Sequence, residues 1–95
     1  MKLSWDEAKR RWTRDERGLD FADAATVFAG VKLEFPDLRF DYGEERWITV
    51  GLLEGRMMVV VWTPRDGGRH VISMRKANDR EQKNFGERLG QVRRS

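Results

Sequence analysis

The sequence contains no cysteine, only one histidine, and no apolar run long enough to cross a membrane. Without thiols the chain can form neither a disulfide nor a thiolate nucleophile, and a zinc site would lack its commonest ligands. No signal-peptide core is visible at the N-terminus, so we expect a cytoplasmic protein with no membrane contact. Any chemistry must therefore depend mainly on charged side chains.

Charge is abundant and unevenly spread. The 95 residues include 19 Lys and Arg against 16 Asp and Glu, a net charge of +3. Residues 65–95 hold 9 basic and 4 acidic residues, which is +5 for that third. Such a segment either attracts phosphate-bearing partners or forms a solvated helix face. Because 39% of residues are hydrophobic, including four Trp, we expect one globular domain over residues 1–95.

The first thirty residues have the periodicity of two helices. Ser4 and Glu7 have capping-box spacing, which predicts Ser4 as the N-cap of the first helix. Asp20 can cap a second helix, and Gly30 can end it in the left-handed conformation. Trp12 lies on the apolar side of the first helix and is expected in the core, although a partner contact is a second explanation.

Later segments alternate or run apolar as strands do. Four strands are predicted, at 31–35, 46–53, 57–62 and 69–75, the third being central because it is apolar on both faces. Asn78 and Glu81 repeat the capping-box spacing and open a last helix. Its apolar side carries Ala77, Phe85, Leu89 and Val92. The predicted fold is α+β, with two N-terminal helices, a four-stranded mainly antiparallel sheet and a C-terminal helix.

Basic side chains gather where the last strand leads into the last helix. Planar guanidinium groups bind phosphate oxygens in pairs and stabilise a pentavalent phosphate without titrating near neutrality. In a regular strand Arg69 and Arg75 would share a face, and His70 would point away from both. We predict catalytic roles for Arg75, Arg80, Lys76 and Arg46, and substrate-binding roles for Arg69, Tyr42 and Arg39.

Structural roles are equally open for several of these groups. Arg80 can simply offset the charge of Asp79 or Glu81, and Glu81 is better explained as a capping residue than as a general base. Arg75 and Lys76 can pair with carboxylates of the loop at 41–44 and serve only the fold. His70 is more often structural than catalytic at the start of a strand. Tyr42 lies in a turn-forming run, where it could stack on a base or donate a proton. No metal-ligand constellation is visible, and no cofactor is expected.

The chain resembles the BrnT family of toxins from type II toxin–antitoxin systems over roughly residues 3–85. The resemblance depends on Trp5-Asp6-Glu7-Ala8-Lys9, on Gly18 with Phe21 and Ala24, on Asp41-Tyr42-Gly43-Glu44 with Arg46, and on Ile72-Ser73 with Arg75-Lys76-Ala77. It implies a RelE-like fold and a metal-independent ribonuclease that cleaves RNA and inhibits translation. It also implies neutralisation by a BrnA-type antitoxin, through which alone the toxin would reach operator DNA.

Three positions depart from the pattern that this family usually has. Thr13 stands where Asn is usual, Arg17 where His is usual, and Phe85 where Tyr is usual. The departures remove an imidazole and a phenol, both of which can transfer protons. The alternative function is therefore a non-catalytic, basic module that only docks an antitoxin or RNA.

Overall fold

Backbone hydrogen bonds join five strands into one mixed sheet. The computed structural model describes residues 2–90. Its strands are β1 Leu3–Trp5, β2 Lys32–Pro36, β3 Trp47–Leu53, β4 Arg56–Arg65 and β5 Gly68–Lys76. The order across the sheet is β1-β5-β4-β3-β2, with β1 parallel to β5 and the other neighbours antiparallel. The apolar strand β4 is central, as predicted, because its side chains are buried on both faces.

The predicted four-stranded sheet is wrong, because residues 3–5 form an additional edge strand. Leu3 pairs with Arg69 and Trp5 with Val71. The close approach requires Gly68, since a Cβ atom there would overlap the backbone of Lys2. A strand of three residues is too short to show a period of two, so the sequence pattern could not separate it from the helix that follows.

The helices also differ from the prediction. They are α1 Glu7–Arg17, α2 Ala24–Ala29 and α3 Asp79–Phe85, with a 3₁₀ turn at Phe21–Asp23. Asp6, not Ser4, caps α1 by accepting a hydrogen bond from the Ala8 amide, since Ser4 belongs to β1. The predicted second helix is only the 3₁₀ turn capped by Asp20 followed by the six-residue α2. Gly30 is not left-handed, with a φ of −96°.

The sheet separates two hydrophobic clusters. On the side that we call the helix face, Phe21, Val27 and Phe28 pack against Met58 and other buried residues of β4 and β5. On the other side, the open face, the cluster comprises Val50, Met57, Val59, Ala77 and Leu89. Only one end of the open face lies under α3, where Phe85 stacks on Phe35 with 6.0 Å between ring centroids. The predicted apolar residue Val92 lies outside the described residues.

Helix α1 packs thinly, and Thr13 is its one buried residue. Trp12 is 54% exposed, so its predicted place in the core is wrong. Arg17 covers the Trp12 ring at 5.0 Å and donates a hydrogen bond of 3.0 Å to the carbonyl of Met74. That carbonyl lies on β5 beyond the end of β1. Arg17 therefore links α1 to the sheet and satisfies an edge carbonyl.

A β-bulge in β5 decides which face each of its side chains occupies. Val61 pairs with Ser73 and Trp62 with Val71, so Ile72 is an extra residue without a counterpart on β4. The extra residue reverses the alternation along the strand. Arg69 consequently lies on the helix face and Arg75 on the open face. The prediction that the two arginines share a face is wrong.

Candidate functional site: an arginine cluster on the open face

Arg75 is a cation of β5 that the fold presents on the open face. Arg75 pairs with Val59 of β4 and lies near the start of α3. Its side chain is 38% exposed. Nη1 and Nη2 each donate a 2.8 Å hydrogen bond to one carboxylate oxygen of Glu81, and Nη1 also contacts the Lys76 carbonyl at 3.3 Å. The pairing with Glu81 raises the pKa of Arg75, which therefore stays cationic.

Glu81 performs two structural tasks at once. Its carboxylate accepts from the Asn78 amide while Asn78 caps the Glu81 amide, so the predicted capping box is present. The hydrogen bond from Arg75 lowers the pKa of Glu81, which makes it a poor proton donor near neutrality. Glu81 binds Nη1 and Nη2 at the end of the Arg75 guanidinium. The Nε–H and one Nη2–H, which form a second fork, have no partner among residues 2–90.

The loop at 37–46 approaches the same cluster. Asp37 has a fully buried carboxylate that accepts from Arg39 Nε at 2.8 Å, Arg39 Nη2 at 2.7 Å and the Tyr42 hydroxyl at 3.2 Å. The Arg39 guanidinium holds the pKa of Asp37 at about 2. Arg39 lies near enough to Arg75 for its charge to lower the pKa of Arg75, against the stronger effect of Glu81.

Two residues that were predicted to act on RNA hold this loop together. The Arg46 guanidinium lies 3.9 Å from the centroid of the Tyr42 ring, and its Nε donates to Glu44 at 3.1 Å. The Tyr42 hydroxyl is already committed to Asp37. Neither the charge of Arg46 nor the Tyr42 hydroxyl is free in this arrangement, so both chiefly fix the shape of the loop.

His70 joins the open face because of the bulge. It pairs with Thr63, on the side of the sheet that Ser73 and Arg75 occupy, so the prediction that it points away from Arg75 is wrong. Its Nδ1 is 2.9 Å from the Ser4 hydroxyl. Partial burial, followed by the charge of Arg65, lowers the pKa of His70, and Glu44 opposes this shift. The imidazole is thus neutral at pH 7 and can accept a proton at Nε2 when Nδ1–H donates to Ser4.

Arg69 is held within the helix face. Its guanidinium carbon lies 4.1 Å from the Phe28 ring and 4.5 Å from the Trp62 ring. Nη1 is 3.2 Å from Glu34 without hydrogen-bond alignment, so the contact is Coulombic. The side chain is only 14% exposed. Arg69 links β5 to β2 across the sheet, and it is inaccessible to a phosphate.

The side chains of the other two predicted cations, Lys76 and Arg80, make no hydrogen bond with Arg75 within residues 2–90. Lys76 follows Arg75 along the strand, pairs with Met58 and so points to the other face. It lines a cleft of about 250 Å³ together with Arg56 and Gln82. Arg80 is exposed on the first turn of α3, and within residues 2–90 it has no ion-pair partner. Its proposed pairing with Asp79 or Glu81 is therefore not formed, whereas Glu81 is taken by Arg75.

Sequence reasoning missed two features of this site. His70 was placed on the wrong face because a bulge has no signature in an alternating strand. Asp37 was overlooked as the centre of the loop, although an Asp two residues before an Arg in a Pro-initiated turn could have indicated it. Within the described range 2–90, no three His, Asp or Glu side chains come together as a metal site, and no helix is long and apolar enough to span a membrane.

The fold and the site define a small, basic α+β protein with a half-exposed arginine, Arg75, on the open face of its sheet. The sequence over residues 5–81 matches the family described as "Ribonuclease toxin, BrnT, of type II toxin-antitoxin system". The match covers most of the chain, so the protein belongs to that family of ribonuclease toxins and has an antitoxin as partner. No match was found among curated proteins.

Proposed function

We propose that the open face cleaves single-stranded RNA without a metal, with Arg75 and His70 as the central pair. The observation that supports this most is the β5 bulge, which puts an oriented guanidinium and a neutral imidazole on one face of the sheet. Their β4 partners, Val59 and Thr63, are four residues or roughly 13 Å apart, a distance that the two side chains and one nucleotide between them can span. Arg75 binds the non-bridging phosphate oxygens through its second fork, while Glu81 keeps the guanidinium in place.

The reaction is an internal transfer. His70 accepts the proton of the ribose 2′-hydroxyl, whose oxygen attacks phosphorus; the bond to the 5′-oxygen breaks, and that oxygen takes a proton from solvent. The products are a 2′,3′-cyclic phosphate and a 5′-hydroxyl. A neutral His70 with a lowered pKa suits the role of base at pH 7. Arg80 contacts a flanking phosphate, and Arg46 supports the loop at 37–46. Lys76 points to the other face of the sheet and has no contact with the RNA in this proposal.

The test is RNA cleavage by the purified, antitoxin-free protein in EDTA. We expect cleavage that leaves cyclic phosphate ends and that is lost in His70→Gln and Arg75→Ala. Arg11→Gln is the matched control, since Arg11 is an exposed cation of α1 with no ion-pair partner within residues 2–90. RNA that stays intact at high protein concentration would overturn the proposal and favour the non-catalytic binding module.

The cognate partner is, in this proposal, a BrnA-type antitoxin, and the RNA substrate places the toxin in the cytoplasm. Family membership supports an antitoxin, while the antitoxin type and operator binding go beyond it. Electrophoretic shifts of the operator should appear with the toxin–antitoxin complex and be absent with the toxin alone. A shift by the toxin alone would contradict DNA contact through the antitoxin only.

A further inference from the structure

Two large apolar side chains project from the loop at 37–46 into solvent. Leu38 is 83% exposed and Phe40 is 71% exposed. Single exposed apolar residues need no explanation, but these two are separated by one residue in a loop that is firmly anchored elsewhere. The positions on either side of Phe40 provide that anchoring.

The anchors are the buried carboxylate of Asp37 and the backbone around it. Asp37 receives hydrogen bonds from the Arg39 side chain and the Tyr42 hydroxyl, and its own amide donates to the Arg46 carbonyl at 2.8 Å. At the far end, the Thr63 hydroxyl donates to the Glu45 carbonyl at 2.6 Å. These hydrogen bonds fix the backbone of the loop that carries Phe40. Less conformational entropy is therefore lost when a ligand packs on the Phe40 ring.

The surroundings of Phe40 are aromatic and cationic. Its ring meets the Tyr42 ring edge to face, with 5.8 Å between the ring centroids. The Arg46 guanidinium lies 3.9 Å from the centroid of the same Tyr42 ring. An aromatic ring with a free face beside arginines is the arrangement on which proteins stack unpaired bases. The Glu45 carbonyl of this loop accepts a hydrogen bond from Thr63, which is the β4 partner of His70, so a nucleobase on Phe40 would lie near the proposed general base.

The charges of the loop decide which part of an RNA it can hold. Asp37, Asp41, Glu44 and Glu45 outnumber Arg39 and Arg46, and both arginines are already paired with carboxylates. Such a loop repels phosphate and offers ring faces instead. Phosphate contacts therefore belong to Arg75, and the loop is suited to a nucleobase.

We propose that Phe40 is a base-stacking residue that holds one unpaired nucleobase next to the cleaved phosphate and so fixes where the RNA is cut. The inference rests on the proposed ribonuclease function, and it names a contact that this function does not itself require. Because stacking accepts any base, it sets the register of the strand more than it selects a particular nucleotide.

The experiment measures binding of a short single-stranded RNA whose 2′-hydroxyl at the cleavage position is replaced by hydrogen. The base is removed at one position at a time, and each abasic oligonucleotide is titrated against the wild type, Phe40→Ala, Phe40→Trp and Leu38→Ala. In the wild type, one position flanking the cleavage site should show a roughly 5- to 150-fold weaker affinity when its base is missing. Phe40→Ala should bind the intact oligonucleotide more weakly by the same factor. In this variant, removing the base at that one position should cause no further loss of affinity.

The other variants distinguish base stacking from nonspecific hydrophobic binding. Leu38 is even more exposed than Phe40 in the same loop, and Leu38→Ala should keep the abasic penalty. Phe40→Trp should keep or increase it. An abasic penalty that is unchanged in Phe40→Ala overturns the inference. So does a Phe40→Ala variant that binds all RNAs normally and loses affinity only for the antitoxin. A wild type that binds these RNAs with the stacking pattern but never cleaves RNA would overturn the proposed activity and leave the stacking contact standing.

Discussion

Two arginines of one strand, Arg69 and Arg75, experience opposite environments on the two faces of the sheet. On the helix face Arg69 lies between two aromatic rings and faces Glu34, with 14% of its side chain exposed. On the open face Arg75 is 38% exposed and one of its two forks has no partner within residues 2–90. Residue type is the same, so the difference lies in burial and in which donors the fold has already used. A buried, stacked guanidinium strengthens the fold, whereas a half-exposed and oriented one can bind a ligand.

The carboxylates that face the two arginines differ in the same way. Glu34 also accepts a hydrogen bond from Thr49, which in turn accepts from the Trp62 indole, so this chain of contacts crosses the sheet. Glu81 is instead part of the capping box of α3 and is fixed from its own side. Loss of Arg69 would leave Glu34 half-buried without its cation, whereas loss of Arg75 would leave Glu81 with its amide contacts. The two substitutions should therefore separate activity from stability.

The largest expected effect is on catalysis by Arg75→Ala. Removing one preorganised donor from a developing oxyanion reduces kcat by about 10²- to 10³-fold. The reduction should appear in single-turnover cleavage of RNA, with the thermal midpoint changed little because the pair with Glu81 is partly exposed. Arg75→Lys should recover only part of the activity, since an ammonium cannot form the fork. Full activity in a folded Arg75→Ala variant would show that the arginine on the open face is not the one that serves catalysis.

Arg69→Ala should produce the converse result. The side chain loses two ring contacts and leaves a partly buried carboxylate, which we expect to lower the free energy of unfolding by about 2 kcal/mol. In a domain of this size such a loss corresponds to a drop of about 8–16 °C in thermal midpoint. Below the new midpoint, the rate of RNA cleavage per folded molecule should be unchanged. A variant of normal stability with impaired cleavage would instead give Arg69 the substrate role that its burial excludes.

Much of this contrast was beyond the reach of the sequence. The Asn78–Glu81 capping box is a local feature, and the apolar run of β4 is continuous in the sequence, so both were predicted correctly. The Ser4 cap was predicted wrongly, because residues 3–5 pair with β5. The edge strand β1 and the bulge at Ile72 depend on which segments pair, which is a property of the tertiary fold. A bulge of one residue was enough to exchange the faces of Arg69 and His70 while the composition of the strand stayed the same.

Both Asp37→Asn and low pH should lower the free energy of unfolding, because Asp37 holds the loop at 37–46. The substitution removes charge from a buried group with three side-chain hydrogen bonds, so stability should fall by about 1–3 kcal/mol. The folded pKa is about 2, below the ordinary value of 3.8, so this stabilisation is complete above pH 3.8 and is lost as the pH falls towards 2. Urea unfolding between pH 5 and pH 2 should show a steeper loss for the wild type than for Asp37→Asn. Equal slopes would mean that Asp37 does not hold the loop.

The smallest expected effect belongs to Arg80→Gln, which sharpens the comparison by removing a cation that has no partner within residues 2–90. An exposed guanidinium on α3 contributes to RNA binding through its charge alone, so affinity should fall by a similar factor for every RNA sequence. The dependence of log affinity on log salt should become shallower by about 0.7, the value for one phosphate contact on a single strand. Arg11→Gln, also exposed but on α1, should leave that slope unchanged. An unchanged slope in Arg80→Gln would confine the phosphate contacts to Arg75, and the RNA would then cross the sheet without reaching α3.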